Sequence, residues 1–558
     1  MNASRPRAWV MGCALWAAVV GSGLGAWAAE GRAISLNPAD LYAGFEARKV
    51  ALEGERLALD PRVFRFGSER RGVVTTDPID LGPSQGIIGL PATVRTVAIE
   101  LRADLPEGAA VALEARSGSN PLDTAKWSPW QTLAVPKARL EPLAGRCIQL
   151  RLTLSATSPE RVPALRGLTL RPDVAPGPPW RGTLAVAEQS VQKLVRSPIE
   201  FHYERPDQPK IARFRTLARL DDAVAGARDD FQKLVKLMHW VGGCANNRTS
   251  RRERSGRTYV WDIDRVFTLE DGTPTIHGHC MSYAEVMVSA AVALGYVGAR
   301  HMAVCGFREA SHEVCDIWVP SLGKWVYFDP SLTHTYFDKA TGTPLNLIEM
   351  HNVVAQAFLR DGEDMHWWRQ QGSAATRKRV RTVGGQKPIG CRRGPWHYGK
   401  PARPDYDWGF YHGYLAAGFV QMTPRNDFAA HPEAVPRQFE HYPGYAGFPN
   451  WVDARTPPTR GAHNWVTRLR DFYWTLDQAG LRLVQAGEGV LRVHLGHTMP
   501  FFKAYRIRVD GHAVDGVADS FAWKLEAGVN RLEVAPVDAF GKVRLASRVA
   551  VRYAVPTP

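Results

Sequence analysis

The stretch Thr275-Ile276-His277-Gly278-His279-Cys280-Met281-Ser282-Tyr283-Ala284-Glu285-Val286 decides how this chain is read. From Cys280 onward it predicts an amphipathic helix running to about Leu294, with Gly295 placed as its stop. Cys280 thus opens a helix, whose N-terminus carries roughly half a positive charge and favours an anion. The backbone N–H of Cys280 is also expected to point toward where an oxyanion would form. Downstream stand His312, in Ser311-His312-Glu313-Val314, and Asp329, in Trp325-Val326-Tyr327-Phe328-Asp329-Pro330. Acyl transfer needs a thiolate, a base that generates it and a group that orients the base. All three residue types occur here within about fifty residues.

His312 begins a predicted strand through Val319. Alternation puts His312, Val314, Asp316 and Trp318 on one face and Glu313, Cys315, Ile317 and Val319 on the other. The chain then turns at Pro320-Ser321-Leu322-Gly323 and returns as Lys324 to Asp329, bringing Asp329 back toward the start of the first strand. Such a hairpin can set a carboxylate against the second imidazole nitrogen and fix the tautomer. An imidazolium beside Cys280 would favour the thiolate.

These segments resemble the transglutaminase-like core, a relative of the papain-type thiol fold. The resemblance covers roughly residues 225–335. It rests on Gly278-His279-Cys280-Met281-Ser282-Tyr283-Ala284, Leu294-Gly295-Tyr296-Val297-Gly298-Ala299-Arg300, His312 at the head of a strand, and Lys324-Trp325-Val326-Tyr327-Phe328-Asp329-Pro330-Ser331. It implies Cys280 as nucleophile, His312 as base and Asp329 as its orienting group. It also implies a tryptophan whose indole N–H helps hold the oxyanion, for which Trp240 and Trp261 are the candidates. Two departures stand out: Val314 replaces the usual aromatic two residues after the base, and no run of carboxylates of the calcium-binding kind precedes Cys280.

At 558 residues the chain exceeds what one core usually supports, so several domains are expected. Apolar content of 45% and charged content of 22% fit folded protein and exclude wholesale disorder. Arg5, Arg7, the apolar stretch Ala8 to Val20 and Ala26-Trp27-Ala28 read as a cleavable signal, so the protein is expected to be secreted or periplasmic. No other segment reaches the roughly 18 apolar residues of a spanning helix. Six cysteines follow the signal: Cys147, Cys244, Cys280, Cys305, Cys315 and Cys391. They are too few for a disulfide-built scaffold, and their pairing is left open. The net charge of +15 and the acid-free stretch from Arg369 to Arg393 allow attraction to an anionic envelope polymer, or simply a solvated basic loop.

The expected architecture is multidomain α+β. A signal at 1–29 precedes a jelly-roll-like β-sandwich at 30–175, ending in a Pro/Gly linker from Asp173 to Pro179. The transglutaminase-like core spans 176–390 and contains a helix at 225–242 with Phe231, Leu234, Val235, Met238 and Val241 on one face. An aromatic-rich irregular region, 391–482, packs on the core. Residues 395–475 hold 18 aromatics in 81, twice the overall density. An immunoglobulin-like β-domain closes the chain at 483–558.

Two functions fit. One is a secreted cysteine enzyme acting at amide or peptide carbonyls of a protein, peptide or glycopeptide, by transfer or hydrolysis. The other is a non-catalytic protein on the same scaffold, holding cell-envelope glycan on aromatic surfaces. No cofactor, metal or nucleic-acid partner is expected. His277, His279 and Cys280, with Cys315 as an optional fourth, offer an alternative metal set, but His-x-His-Cys is unlike the usual zinc spacings, and Cys315 should face away from His312.

Overall fold

The computed structural model describes residues 33–66, 69–178, 180–247, 261–305, 311–358, 389–402, 419–432, 448–453 and 464–555. The expected signal and most of the basic stretch lie outside the described residues. Within them the protein is β-rich and built from several sheets. No described helix is long and apolar enough to cross a membrane.

Residues 34–176 form two six-stranded sheets around one core. Ala92–Asp104 pairs antiparallel with Ala164–Pro176 in one sheet, and Ala109–Gly118 pairs with Cys147–Ala156 in the other. Along Ala92–Asp104 the side chains of Val97, Ile99 and Leu101 are buried while Ala98 is exposed, the two-residue period of a strand with one solvated face. Trp130 lies between two guanidinium groups of that sandwich, 4.6 Å from Arg116 and 4.4 Å from Arg151.

A second sandwich is assembled from three separated stretches. One sheet runs Thr183–Ser190, Ser547–Ala554, Gly528–Asp538, Phe502–Val509, His512–Val514; the other runs Ser520–Lys524, Val490–His497, Ala479–Gly487, Ile88–Gly89, Ser84–Gln85. Val186 pairs with Val551, and Ile88 lies parallel to Leu483. The expected 176–390 unit therefore loses its first strand to the C-terminal sandwich, which starts at Ala479 rather than 483. The expected linker is shorter as well, because Asp173 to Pro176 still pair with Thr96 to Ala92. Pairings across hundreds of residues leave no local sequence pattern, and Pro/Gly composition marked a strand end as a break.

Between the sandwiches, helices Pro209–Leu217, Asp230–Gly243 and Cys280–Ala293 pack in one core with a six-stranded sheet. The sheet order is Lys324–Phe328, Ser311–Val319, Ala299–Cys305, Phe419–Met422, Asn450–Trp451, Trp465–Val466. Its last three strands come from the region expected to be irregular. Asp230–Gly243 starts later than the expected 225 because the Asp229 side chain caps it, accepting from Gln232 N at 2.7 Å. The Cys280 helix is not amphipathic: every residue from Met281 to Ala293 is buried. Glu285 is its one charged residue, so it has no face to turn to water. The N-terminal sandwich is tied to this unit by Arg468, which donates to the carbonyls of Tyr42 at 2.8 Å, Gly44 at 2.7 Å and Phe45 at 3.1 Å.

Candidate active site

Cys280 is the first residue of its helix and half-buried, with His279 exposed before it. Gly278 has φ +136°, and a Cβ there would lie 2.1 Å from the Ser282 hydroxyl oxygen, so the approach to Cys280 requires glycine. Asn246 Nδ2 donates to the Gly278 carbonyl at 3.1 Å and lies 3.2 Å from the Tyr283 hydroxyl, which donates to the Cys244 carbonyl at 3.3 Å. These bonds fasten the turn that delivers Cys280 to the end of the Asp230–Gly243 helix.

His312 is buried near the start of Ser311–Val319. Its Nε2 donates to Asp329 Oδ2 at 2.8 Å, and its side chain also hydrogen-bonds that of Cys280. The hairpin that makes this possible closes through a short 3₁₀ turn at Pro320–Leu322 and Gly323 at φ +59°, with Cys315 opposite Phe328 and Val319 opposite Lys324. Asp329 is 1% exposed and fully bonded. Its Oδ1 accepts from Ser331 N at 3.1 Å, Ser331 Oγ at 2.8 Å and Leu332 N at 3.1 Å, leaving Oδ2 for His312.

Burial works against the charged form of each partner, but their mutual attraction prevails. His312 is pushed up to about 10 by Asp329 and Cys280, and Asp329 is held below the ordinary aspartate value by His312. His334 nearby behaves oppositely. Burial pushes it down to about 4 against the pull of Asp329, and the charges of Arg393, His312 and His397 add to the lowering. His312 is therefore the imidazole that carries charge beside Asp329.

The structure thus brings Cys280, His312 and Asp329 together. The strand faces follow the expected alternation beyond His312: Val314 and Trp318 enter one core, Cys315 and Ile317 the other. Asp316 is engaged elsewhere, accepting from the Tyr473 hydroxyl at 2.5 Å beside Arg300, whose guanidinium lies 3.9 Å from the Trp325 ring. Trp261 is buried edge-on against His301 at 4.7 Å and beside Phe428 at 4.8 Å. Trp240 packs on Phe267 at 5.9 Å and lines a cleft of about 280 Å³ with His239, Pro274 and Trp396. The residues weighed as a metal set point apart: His277 Nε2 meets Thr268 Oγ1 at 2.7 Å, and Cys315 Sγ donates to the Ala284 carbonyl at 3.3 Å. Among the described residues no group of three or more His, Cys, Asp or Glu is placed to hold a metal.

Cys147, Cys244, Cys280, Cys315 and Cys391 are free thiols. Burial pushes Cys147 and Cys244 up to about 12, and it raises Cys315 and Cys391 as well, which keeps these four protonated and poor nucleophiles. Asn246 and Ser331 were missed by the sequence reading. Asp329-Pro330-Ser331 does carry a turn signature that could have marked Ser331, whereas nothing local marks Asn246.

No family model matches the chain, and no curated protein matches it. Among solved structures it is similar to "a Putative Cysteine Protease from Cytophaga hutchinsonii", at 12% identity over 47% of this chain and 74% of that one, with a TM-score of 0.17. At that TM-score the likeness carries no inference about fold or activity.

Proposed function

We propose that the protein is a cysteine enzyme of transglutaminase-like type, acting at amide or peptide carbonyls through Cys280, His312 and Asp329. The observation that carries this reading is the pair of contacts of one buried imidazole, Cys280 on one side and Asp329 at 2.8 Å on the other. In the first half-reaction the Cys280 thiolate attacks the carbonyl carbon and a C–S bond forms. His312 gives its proton to the departing nitrogen as the C–N bond breaks, leaving a thioester. In the second, an amine or water loses a proton to His312 and attacks the thioester, and the C–S bond breaks to restore the thiolate. Asp329 keeps Nε2 of His312 protonated throughout, so the other ring nitrogen serves both transfers.

Among the described residues the geometry lends no support to the glycan-binding alternative. Phe428, Phe448, Trp451, Trp465, Phe472 and Trp474, from the aromatic-rich region, are buried in the core. The reading places the enzyme outside the cytoplasm, so sequencing exported material should give a terminus near Ala29 or Glu30; an intact Met1 would reject cleavage. The direct test is iodoacetamide labelling of the wild type, Cys280→Ala and His312→Ala between pH 5 and 10. Labelling should be confined largely to Cys280 and should fall at neutral pH in His312→Ala. A Cys280 that labels like a simple thiol, indifferent to His312, rejects the enzyme.

A further inference from the structure

The far end of the Cys280 helix is finished by residues from outside it. Gly295, at φ +86°, lets the chain close a double bond pattern in which Gly295 N donates to the Val292 carbonyl at 2.7 Å and Tyr296 N to the Ala291 carbonyl at 2.9 Å. The next three carbonyls receive cations from separate segments. Arg215 Nη1 donates to Ala293 O at 2.9 Å, Lys542 Nζ to Leu294 O at 3.2 Å, and Arg544 Nη2 to Gly295 O at 3.2 Å. Lys542 fills the space that a side chain at 295 would need, since a Cβ there would lie 1.7 Å from its Nζ.

The three cations differ in charge balance. Arg215 is neutralised by Asp221 at 2.7 Å and Arg544 faces Asp477 at 3.4 Å. Among the described residues no carboxylate forms a salt bridge with Lys542. Arg544, Arg215 and Lys233 surround it, and the acids Asp538 and Asp477 also act on it; Asp538 accepts from the Lys542 backbone N at 2.8 Å and so fixes the turn. The helix between Lys542 and Cys280 is fourteen residues, about 21 Å long. Because residues 281–293 are all buried, little water screens a charge along that path.

We propose that Lys542, on the C-terminal sandwich, is a positioning residue for Cys280: its charge, held against the Leu294 carbonyl at the end of the buried helix, favours the thiolate at the other end. This rests on the reading of Cys280 as nucleophile. The C-terminal sandwich is on this account part of the catalytic unit rather than an appended binding module.

Lys542→Gln tests it, because glutamine keeps an N–H donor for Leu294 O and removes only the charge. Iodoacetamide labelling of Cys280 at pH 6 should slow about threefold to fourfold, as expected for one charge at this distance and an effective dielectric near 20. The rate–pH profile should move to higher pH, and the rates should converge with wild type at pH 10. Lys542→Arg should restore the wild-type profile. A lowered unfolding temperature with an unchanged profile would overturn the proposal and leave Lys542 as a helix cap. Should Lys542→Gln fail to fold, the profile of Arg544→Lys serves: it keeps the charge and must leave the profile in place, and a displaced profile there overturns the proposal. Failure of the underlying reading is distinct, since it shows in the wild type as a Cys280 profile indifferent to His312.

Discussion

A single buried aspartate organises the candidate site. Three donors hold one oxygen of Asp329 and His312 takes the other. Asp329→Asn should keep the fold, because the amide oxygen can still accept from Ser331 and Leu332. It should nevertheless disfavour the tautomer of His312 that the reaction needs, with turnover losses up to about 10⁴-fold. Cys280→Ala/Asp329→Asn should be no worse than Cys280→Ala, since residues acting as a unit are not additive. Cys315→Ala is the control, and loss of turnover there with activity retained in Cys280→Ala would reassign the nucleophile. The same pair predicts a pH signature in stability. His312 is raised to about 10 in the folded chain from an ordinary value near 6.5. Its contribution is therefore complete below pH 6.5 and lost as pH rises through 10. Asp329, held low, contributes above its ordinary value near 3.8 and loses that as pH falls through its folded value. The difference in unfolding temperature between wild type and His312→Gln should be widest near pH 5–6 and shrink toward pH 10; a difference that grows with pH would contradict the ion pair. Cys280, His312 and Asp329 were legible because chemistry restricts the residue types and a hairpin restricts their spacing. Asn246 was not, because its partners, Gly278 and Tyr283, meet it only after folding.

Among the elements, the Cys280 helix departs most from expectation. Its residues are mostly small or apolar with Glu285 the one charge, a pattern that fits burial on all sides as well as a loosely amphipathic surface helix. Its ends were readable, since Gly295 has the conformation a helix stop demands. Its entry depends on Gly278, where both the positive φ and the Ser282 hydroxyl exclude a side chain. Gly278→Ala should cost about 1–3 kcal/mol in urea unfolding, the usual range for one strained backbone position. It should also slow labelling of Cys280. Ser282→Ala in the same chain relieves the contact but not the dihedral strain, so it should recover only part of the loss; full recovery would show that the contact alone matters.

For the whole molecule, the sandwiches and the central unit are interlocked. The Ser84–Gly89 hairpin and the Thr183–Ser190 strand complete sheets built mostly from residues after Ala479. Truncation after Asp477 would therefore strand both pieces with unpaired edges and remove Lys542 and Arg544 from the Cys280 helix. The fragment should be poorly soluble and lack the cooperative unfolding transition of the full chain, as followed by circular dichroism. A soluble, cooperatively folded fragment would contradict the interlock. Sequence reading expected β-sandwiches at the two ends and an α+β core containing a helix between them, because alternation and helical periodicity are local. It divided the chain at composition changes, and such changes say nothing about which strand a distant segment joins.

The pairing of Val186 with Val551 joins residues 365 positions apart in the chain. At about 5–20 residues per second, ribosomes would need roughly 20–70 s to make the intervening segment. During that interval the earlier strand has no edge to lie against. The strand Ser547–Ala554 thus supplies that edge only when it is made, and Lys542 arrives within the same stretch of chain. Until residues 542–554 are made, the carbonyls of Leu294 and Gly295 lack their Lys542 and Arg544 donors, so on the proposal above the thiol of Cys280 would become fully reactive only after that stretch has docked.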